Sequence, residues 1–189
     1  FSANLGSLVH IKTITASSSA TVNFVHGTSS VVLDGTYPIY VFKITNIHVA
    51  NNDAHFTVNF SVDTGSNYNA SKTTTYFRAQ GEENVTNGNV TYNDLDQANA
   101  TGYTGLSDSL MNANDASSSG EMYLFNPAST TFVKHFLIRA SGHHQSDYEL
   151  DTFVAGYCNV TAAIDGVQFK MDNGNIDSGT IKLYGIKDS

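Results

Sequence analysis

At 189 residues the chain is long enough to bury a substantial core and short enough to form one domain. Its net charge of −8, with nine Lys and Arg scattered along it, excludes a counterion-releasing surface for nucleic acid and any attraction to anionic membranes. Charged residues make up only 14% of the chain, against the roughly 25% usual in soluble domains, and Asn, Thr and Ser take their place.

That composition suits strands and turns, and it limits how much charge a crowded assembly must desolvate. No apolar run approaches the roughly 20 residues that cross a bilayer, so no membrane insertion is expected. The opening FSANLGSLVH has neither the basic start nor the apolar stretch of a signal peptide.

Alternation of apolar and polar residues predicts strands over 7–15, 19–26, 30–33, 38–50, 54–62, 72–79, 120–126, 131–140, 147–158, 163–171 and 179–186. Val22 and Phe24 share one face of the second. Phe56, Val58, Phe60 and Val62 alternate with Thr57, Asn59 and Ser61, the mark of a half-buried strand. Phe132, Phe136 and Ile138 share a face that Lys134 interrupts. Val167, Phe169 and Met171 repeat the pattern, as do Ile181 and Leu183 with Lys182 facing the other way.

Asp34-Gly35, Asp63 to Asn67 (DTGSN) and Asp172 to Asn175 (DNGN) are turn signals between these runs. Pro38 precedes one strand and Pro127 follows another, positions that β structure tolerates. Residues 81–119 break the rhythm. They are rich in Asn, Asp, Gly, Ser and Thr and are expected to form a long polar loop lobe. Val90 and Tyr92 mark a short strand within it, and 95–100 and 106–111 are candidate helical turns. The predicted fold is therefore all-β: a single antiparallel β-sandwich over 1–189, jelly-roll-like, with the 81–119 excursion on its surface.

Few residues look chemical. His143, His144 and Asp147 in SGHHQSDYE are the strongest metal or catalytic candidates, but strand neighbours point to opposite faces, so both could bind one ion only in a turn, and a solvated hairpin loop is the expected setting. Asp172, Asn175 and Asp177, and likewise Asp63, Ser66 and Asn67, are oxygen-rich, yet such residues beside Gly are what tight turns use. Glu82 and Glu83 sit in a polar loop with nothing apolar to raise a pKa. Glu149 and Asp151 alternate on a solvated strand face. Cys158, alone in TFVAGYCNV, cannot form an internal disulfide and reads as a small buried thiol.

GxSxG, GxGxxG, HExxH, CxxC and the P-loop are all missing, so no catalytic residue and no cofactor is expected. Tyr68, Tyr92 and Tyr103 lie in or near loops and are the aromatic platforms on which a sugar could stack. Sequons at Asn69, Asn84, Asn89, Asn99 and Asn159 are ordinary in so Asn- and Thr-rich a chain.

Four segments in order carry a resemblance over nearly the whole chain: LVHIKTITASSSATVNFVHG, YVFKITNIHVANNDAHFTVNFSVDTGSNYN, GEMYLFNPASTTFVKHFLI and GVQFKMDNGNIDSGTIKLYGI. Together they resemble small virion structural proteins of marine tailed bacteriophages, those of cyanobacteria above all. The resemblance implies a non-enzymatic particle component, made in the host bacterial cytoplasm and resident in the virion as a capsid decoration or cement protein, or as part of a tail fibre or baseplate. It implies contacts with other virion proteins and homo-oligomers, trimeric or in a lattice. A receptor- or glycan-binding module of the virion, with a host surface glycan as ligand, is the second expectation.

Overall fold

The computed structural model describes residues 8–84 and 88–187. Residue 7 of the first predicted strand, the remainder of the opening FSANLGS and the second half of the Asn84 sequon lie outside them. Among the described residues every regular element is a strand. They run β1 (Leu8–Ser19), β2 (Val22–Val25), β3 (Ile39–Val49), β4 (Ala54–Ser61), β5 (Lys72–Glu82), β6 (Gly88–Tyr92), β7 (Thr104–Leu110), β8 (Ser118–Phe125), β9 (Lys134–His144), β10 (Tyr148–Cys158), β11 (Gly166–Met171) and β12 (Ile176–Ile186). No helix long and apolar enough to cross a membrane occurs among them.

All pairings are antiparallel. A long layer runs β1–β12–β3–β8–β9–β10–β5–β6 and a short layer runs β7–β4–β11–β2. The two join edgewise through one residue pair, Leu110 with His144. The orders β1–β12–β3–β8 and β2–β11–β4–β7 are those of a jelly roll, in which the chain passes back and forth between layers. Two insertions interrupt it. The β5–β6 hairpin falls between β4 and β7, and the β9–β10 hairpin between β8 and β11. The hairpins pair with each other and extend the long layer beyond β8.

The layers face each other across aromatic side chains. Phe169 of β11 packs against Phe24 (ring centroids 6.3 Å), Phe42 (5.4 Å) and Phe56 (5.8 Å). Phe60 of β4 meets Phe136 of β9 at 5.0 Å. All are essentially inaccessible, as are Val58, Val167, Ile181 and Leu183, so the alternation in these runs does point into the core. The closing strand needs Gly179: its φ of 127° lies in the region L side chains avoid, and a Cβ would come within 2.7 Å of the Asn46 carbonyl oxygen. It occupies the irregular register between β12 and β3.

Several expectations change. β4 is buried on both faces, not one, because neighbouring loops cover its polar side: Asn59 Nδ2 donates to the carbonyls of Tyr68 (2.6 Å) and Thr101 (3.0 Å). Residues 30–33 form no strand, although Val31 and Leu33 are buried. Phe132 stands 69% exposed ahead of β9, and Lys134, not Phe132, shares the inward face with Phe136 and Ile138. The Lys134 ammonium reaches the Val160 carbonyl at 3.0 Å, which lets a lysine occupy an inward position.

The 81–119 segment is not one loop lobe. Val90 and Tyr92 do lie in a strand, β6, but 106–111 is no helical turn: β7 is a buried strand of the short layer. Its sequence TGLSDSL hides this because its inward polar atoms are satisfied one by one. Ser107 bonds Ser118 at 2.6 Å, and Thr104 donates to Gln97 Oε1 at 3.3 Å. Residues 95–100 are likewise no helix. Backbone bonds from Thr74 to Gln97 (2.9 Å) and between Lys72 and Ala100 (2.8 and 2.9 Å) stitch them along β5.

Candidate functional site

The strands of the extension carry apolar side chains on both faces. In Tyr76-Phe77, Leu137-Ile138 and Phe153-Val154 the neighbours point opposite ways, so one of each pair enters the interior and the other looks outward. Cross-strand register then builds a row on the outer face: Lys43 beside Glu121, Glu121 beside Arg139, then Phe153, Phe77 and Tyr92. The next row over places Tyr123, Leu137 and Ala155 side by side.

Phe77 and Phe153 stack nearly parallel, with centroids 5.0 Å apart and planes at 7°. The Arg139 guanidinium lies 5.0 Å from the Phe153 centroid. These side chains, with Tyr123, Leu137 and Ala155, line an apolar groove of about 330 Å³. Adjoining it is a polar hollow of about 580 Å³ lined by Ser119, Glu121, Arg139, Ser141, Glu149 and Asp151. Glu121 and Arg139 belong to both, so the two form one trough.

The polar half is held in place. Arg139 donates Nε to Asp151 Oδ1 (3.1 Å) and Nη2 to Asp151 Oδ2 (2.8 Å), and this pairing holds its pKa above the ordinary value. Ser141 Oγ donates to Glu149 Oε1 at 2.6 Å. Lys43 pairs with Glu121, and that hydrogen bond raises the lysine pKa. Leu137 is 48% exposed and Phe77 40%, an unusual outlay of apolar surface for a strand-rich body.

A second polar cluster lies in the seam between β5 and β7. Asp108 pairs with Arg78, accepts from Ser109 Oγ at 3.2 Å and sits 3.4 Å from His55 Nε2. Ser109 Oγ is 3.5 Å from that same nitrogen. A serine–histidine–aspartate relay needs its two partners on opposite ring nitrogens, so this cluster is a structural network. A third group crosses three strands in register, Lys134, Cys158 and Lys72, all fully buried. Lys72 Nζ donates to Asn59 Oδ1 (2.6 Å) and the Ala70 carbonyl (2.9 Å), and burial pushes its pKa down to about 8. Burial pushes the Cys158 thiol up to about 12, so it stays protonated and unreactive.

The residues singled out in the sequence separate. His144 faces inward, stacked on Tyr148 at 5.2 Å, and burial lowers its pKa. His143 faces the other way, its Nε2 3.6 Å from Glu83 Oε1 and 3.9 Å from Asp147 Oδ1. Among the described residues no three His, Cys, Asp or Glu side chains converge as a metal site. Asp63 accepts from the Asn67 amide (2.8 Å), Asn67 Nδ2 (2.7 Å) and Ser61 Oγ (2.8 Å), which are turn contacts. Asp172 accepts from the His55 amide at 2.7 Å, and Asn175 Nδ2 donates to the Ser18 carbonyl at 3.0 Å.

The three tyrosines do not form one platform. Tyr68 and Tyr103 are half-buried on the short layer, where burial raises both phenol pKa values. Tyr103 bonds Gln168 and carries Lys170 Nζ 4.4 Å above its ring. Tyr92, 60% exposed on β6, donates to Asp96 Oδ2 at 2.7 Å and belongs to the aromatic row of the long layer.

Phe77, Leu137, Arg139 and Phe153 were not among the residues the sequence singled out. Their signal was present: adjacent apolar residues inside a strand leave one of the two outside the core. No protein-family model matches the chain, and no curated protein or solved structure matches it.

Proposed function

We propose that the protein is a non-enzymatic structural component of a bacteriophage virion, a capsid decoration or a part of a tail fibre or baseplate, acting by adhesion as a homo-oligomer. The observation that carries this reading is the jelly-roll strand order extended by a sheet whose last strand, β6, pairs with β5 alone and offers a free edge. Jelly rolls serve viral capsid and lectin domains alike.

β6 adds to it. All five of its residues are exposed, it is uncharged (GNVTY), and no register irregularity interrupts its pairing with β5. By contrast β1, at the other end of the long layer, carries a register shift beside Lys12, and β2 is only four residues long. Edges without charge, proline or bulge invite pairing with another chain, which fits a protein that works in an assembly. The low charge density fits the same use. A glycan-binding module built on Tyr68, Tyr92 and Tyr103 is not favoured, because they stand on different layers.

Light scattering on the purified protein and mass spectrometry of purified particles test the proposal. Trimers or larger species, and the protein's presence in particles, are the expected results. A strict monomer missing from particles ends it.

A further inference from the structure

We propose that the trough on the outer face of the long layer is a binding site for a neutral glycan chain. This builds on the reading of the protein as an adhesive body and assigns the ligand class of its outer face.

A sugar ring has two chemically distinct aspects: an apolar face of C–H groups and a girdle of hydroxyls. The trough offers both complements side by side. The Phe77–Phe153 pair, stacked face to face at 7°, and Leu137 alongside give the groove an apolar wall. Next to it Glu121, Asp151, Glu149, Ser119 and Ser141 present oxygen acceptors and hydroxyls to which a sugar's hydroxyls can bond. Binding sites of this kind combine an apolar lining with a few polar groups fixed in position. The fixing is visible here: Arg139 is clamped by two bonds to Asp151 and stacked on Phe153, and Ser141 is tied to Glu149. Little side-chain entropy is then lost when a ligand arrives.

Charge selects among glycans. The polar half carries the carboxylates of Glu121, Glu149 and Asp151 against the cations Arg139 and Lys43, both already paired. The balance is negative, so uronate, sialate or phosphate groups are repelled, whereas carboxylates accept readily from neutral hydroxyls. Charge also argues against a protein partner: seating an apolar protein face here would desolvate those ion pairs, a cost that a hydroxylated ligand avoids by bonding to them from the side. Two hollows that merge at Glu121 and Arg139 suit a chain better than a single sugar.

The test is titration calorimetry on the full chain with β-1,4-linked hexasaccharides of gluco, manno and xylo configuration, and with hexagalacturonate. At least one neutral hexasaccharide is expected to bind and hexagalacturonate is not. Phe153→Ala and, separately, Leu137→Ser are each expected to weaken that binding at least about tenfold. Tyr68→Ala, on the other layer, leaves it unchanged. Either trough variant suffices, provided its circular dichroism is that of the parent.

Silence across all neutral probes overturns the assignment. So does equal binding of the uronate, or a loss confined to Tyr68→Ala. The virion reading fails separately: protein found in particles but blind to every glycan sinks only the ligand, and a glycan binder absent from particles sinks only the location.

Discussion

The jelly-roll body and the β5–β6–β9–β10 extension are built by different means. The body strands meet across rings and aliphatic chains, with Phe169 against Phe24, Phe42 and Phe56, and Phe24 against Phe42. The buried Lys, Asp and His side chains among the described residues are Lys72, Lys134, Asp108 and His144. Three lie on the extension, and Asp108 lies on β7, the body strand it packs against. The outward faces differ too, since the extension carries Phe77, Leu137 and Phe153 toward solvent. A body held by apolar area can be read from alternation. An extension registered by specific polar pairs, with apolar residues to spare, has its outer face free for binding.

The largest effect is expected in the body. Phe169→Ala removes the ring around which both layers converge and leaves a cavity that the facing strands cannot fill. Urea unfolding should show a loss of about 4 kcal/mol. If the comparison holds, the loss appears as one cooperative transition seen equally by probes in body and extension. A variant that loses under about 1 kcal/mol would mean that the aromatic cluster is not what holds the layers together.

The seam comes next. Asp108→Ala leaves Arg78 without its carboxylate partner in a largely buried position, at a cost of about 3 kcal/mol. Hydrogen exchange distinguishes this from a body defect: amides of β5 and β6 should open well before those of β11 and β12. Uniform acceleration across both regions would break the comparison, because it would show that the extension has no separate stability to lose.

How much of this was legible follows the same division. The strands of the body were, because in Phe56-Val58-Phe60 and Val167-Phe169-Met171 every second residue is apolar and lies in the core. β7 was not. In TGLSDSL the buried Ser107 and Asp108 are satisfied by Ser118 and Arg78, which lie on other strands, and no local pattern announces such partners. Lys134 looked like an interruption because an ammonium is usually outside; its acceptor, the Val160 carbonyl, becomes visible only once β10 has turned back. His143 and His144 were expected in a solvated hairpin loop, whereas β9 runs on to His144 and turns the two to opposite faces. The trough was not legible: alternation set Ile138 apart from Leu137, but only the register brings Leu137, Phe153 and Phe77 together on one outer face.

The smallest effect concerns Lys72, where the extension leaves the body. Its pKa is about 8 in the folded chain, against 10.5 when unfolded, and burial is the cause. Below pH 8 both states hold the proton, and the folded state bears the full cost of a buried ammonium. Between pH 8 and 10.5 the unfolded chain holds a proton that the folded one has released, so this group makes stability rise with pH. Cys158 acts in the opposite sense: from its ordinary 9.0 burial raises it to about 12, so above pH 9 the unfolded chain ionises first and stability falls. The clean window is therefore pH 8 to 9, where Lys72 should add about 1 kcal/mol. Urea midpoints at pH 7, 8 and 9 check this. Lys72→Met, which removes the titration while filling the same space, should flatten the rise relative to the parent. Equal slopes in the two proteins would mean that water reaches the ammonium, and the polar seam would then be an open one.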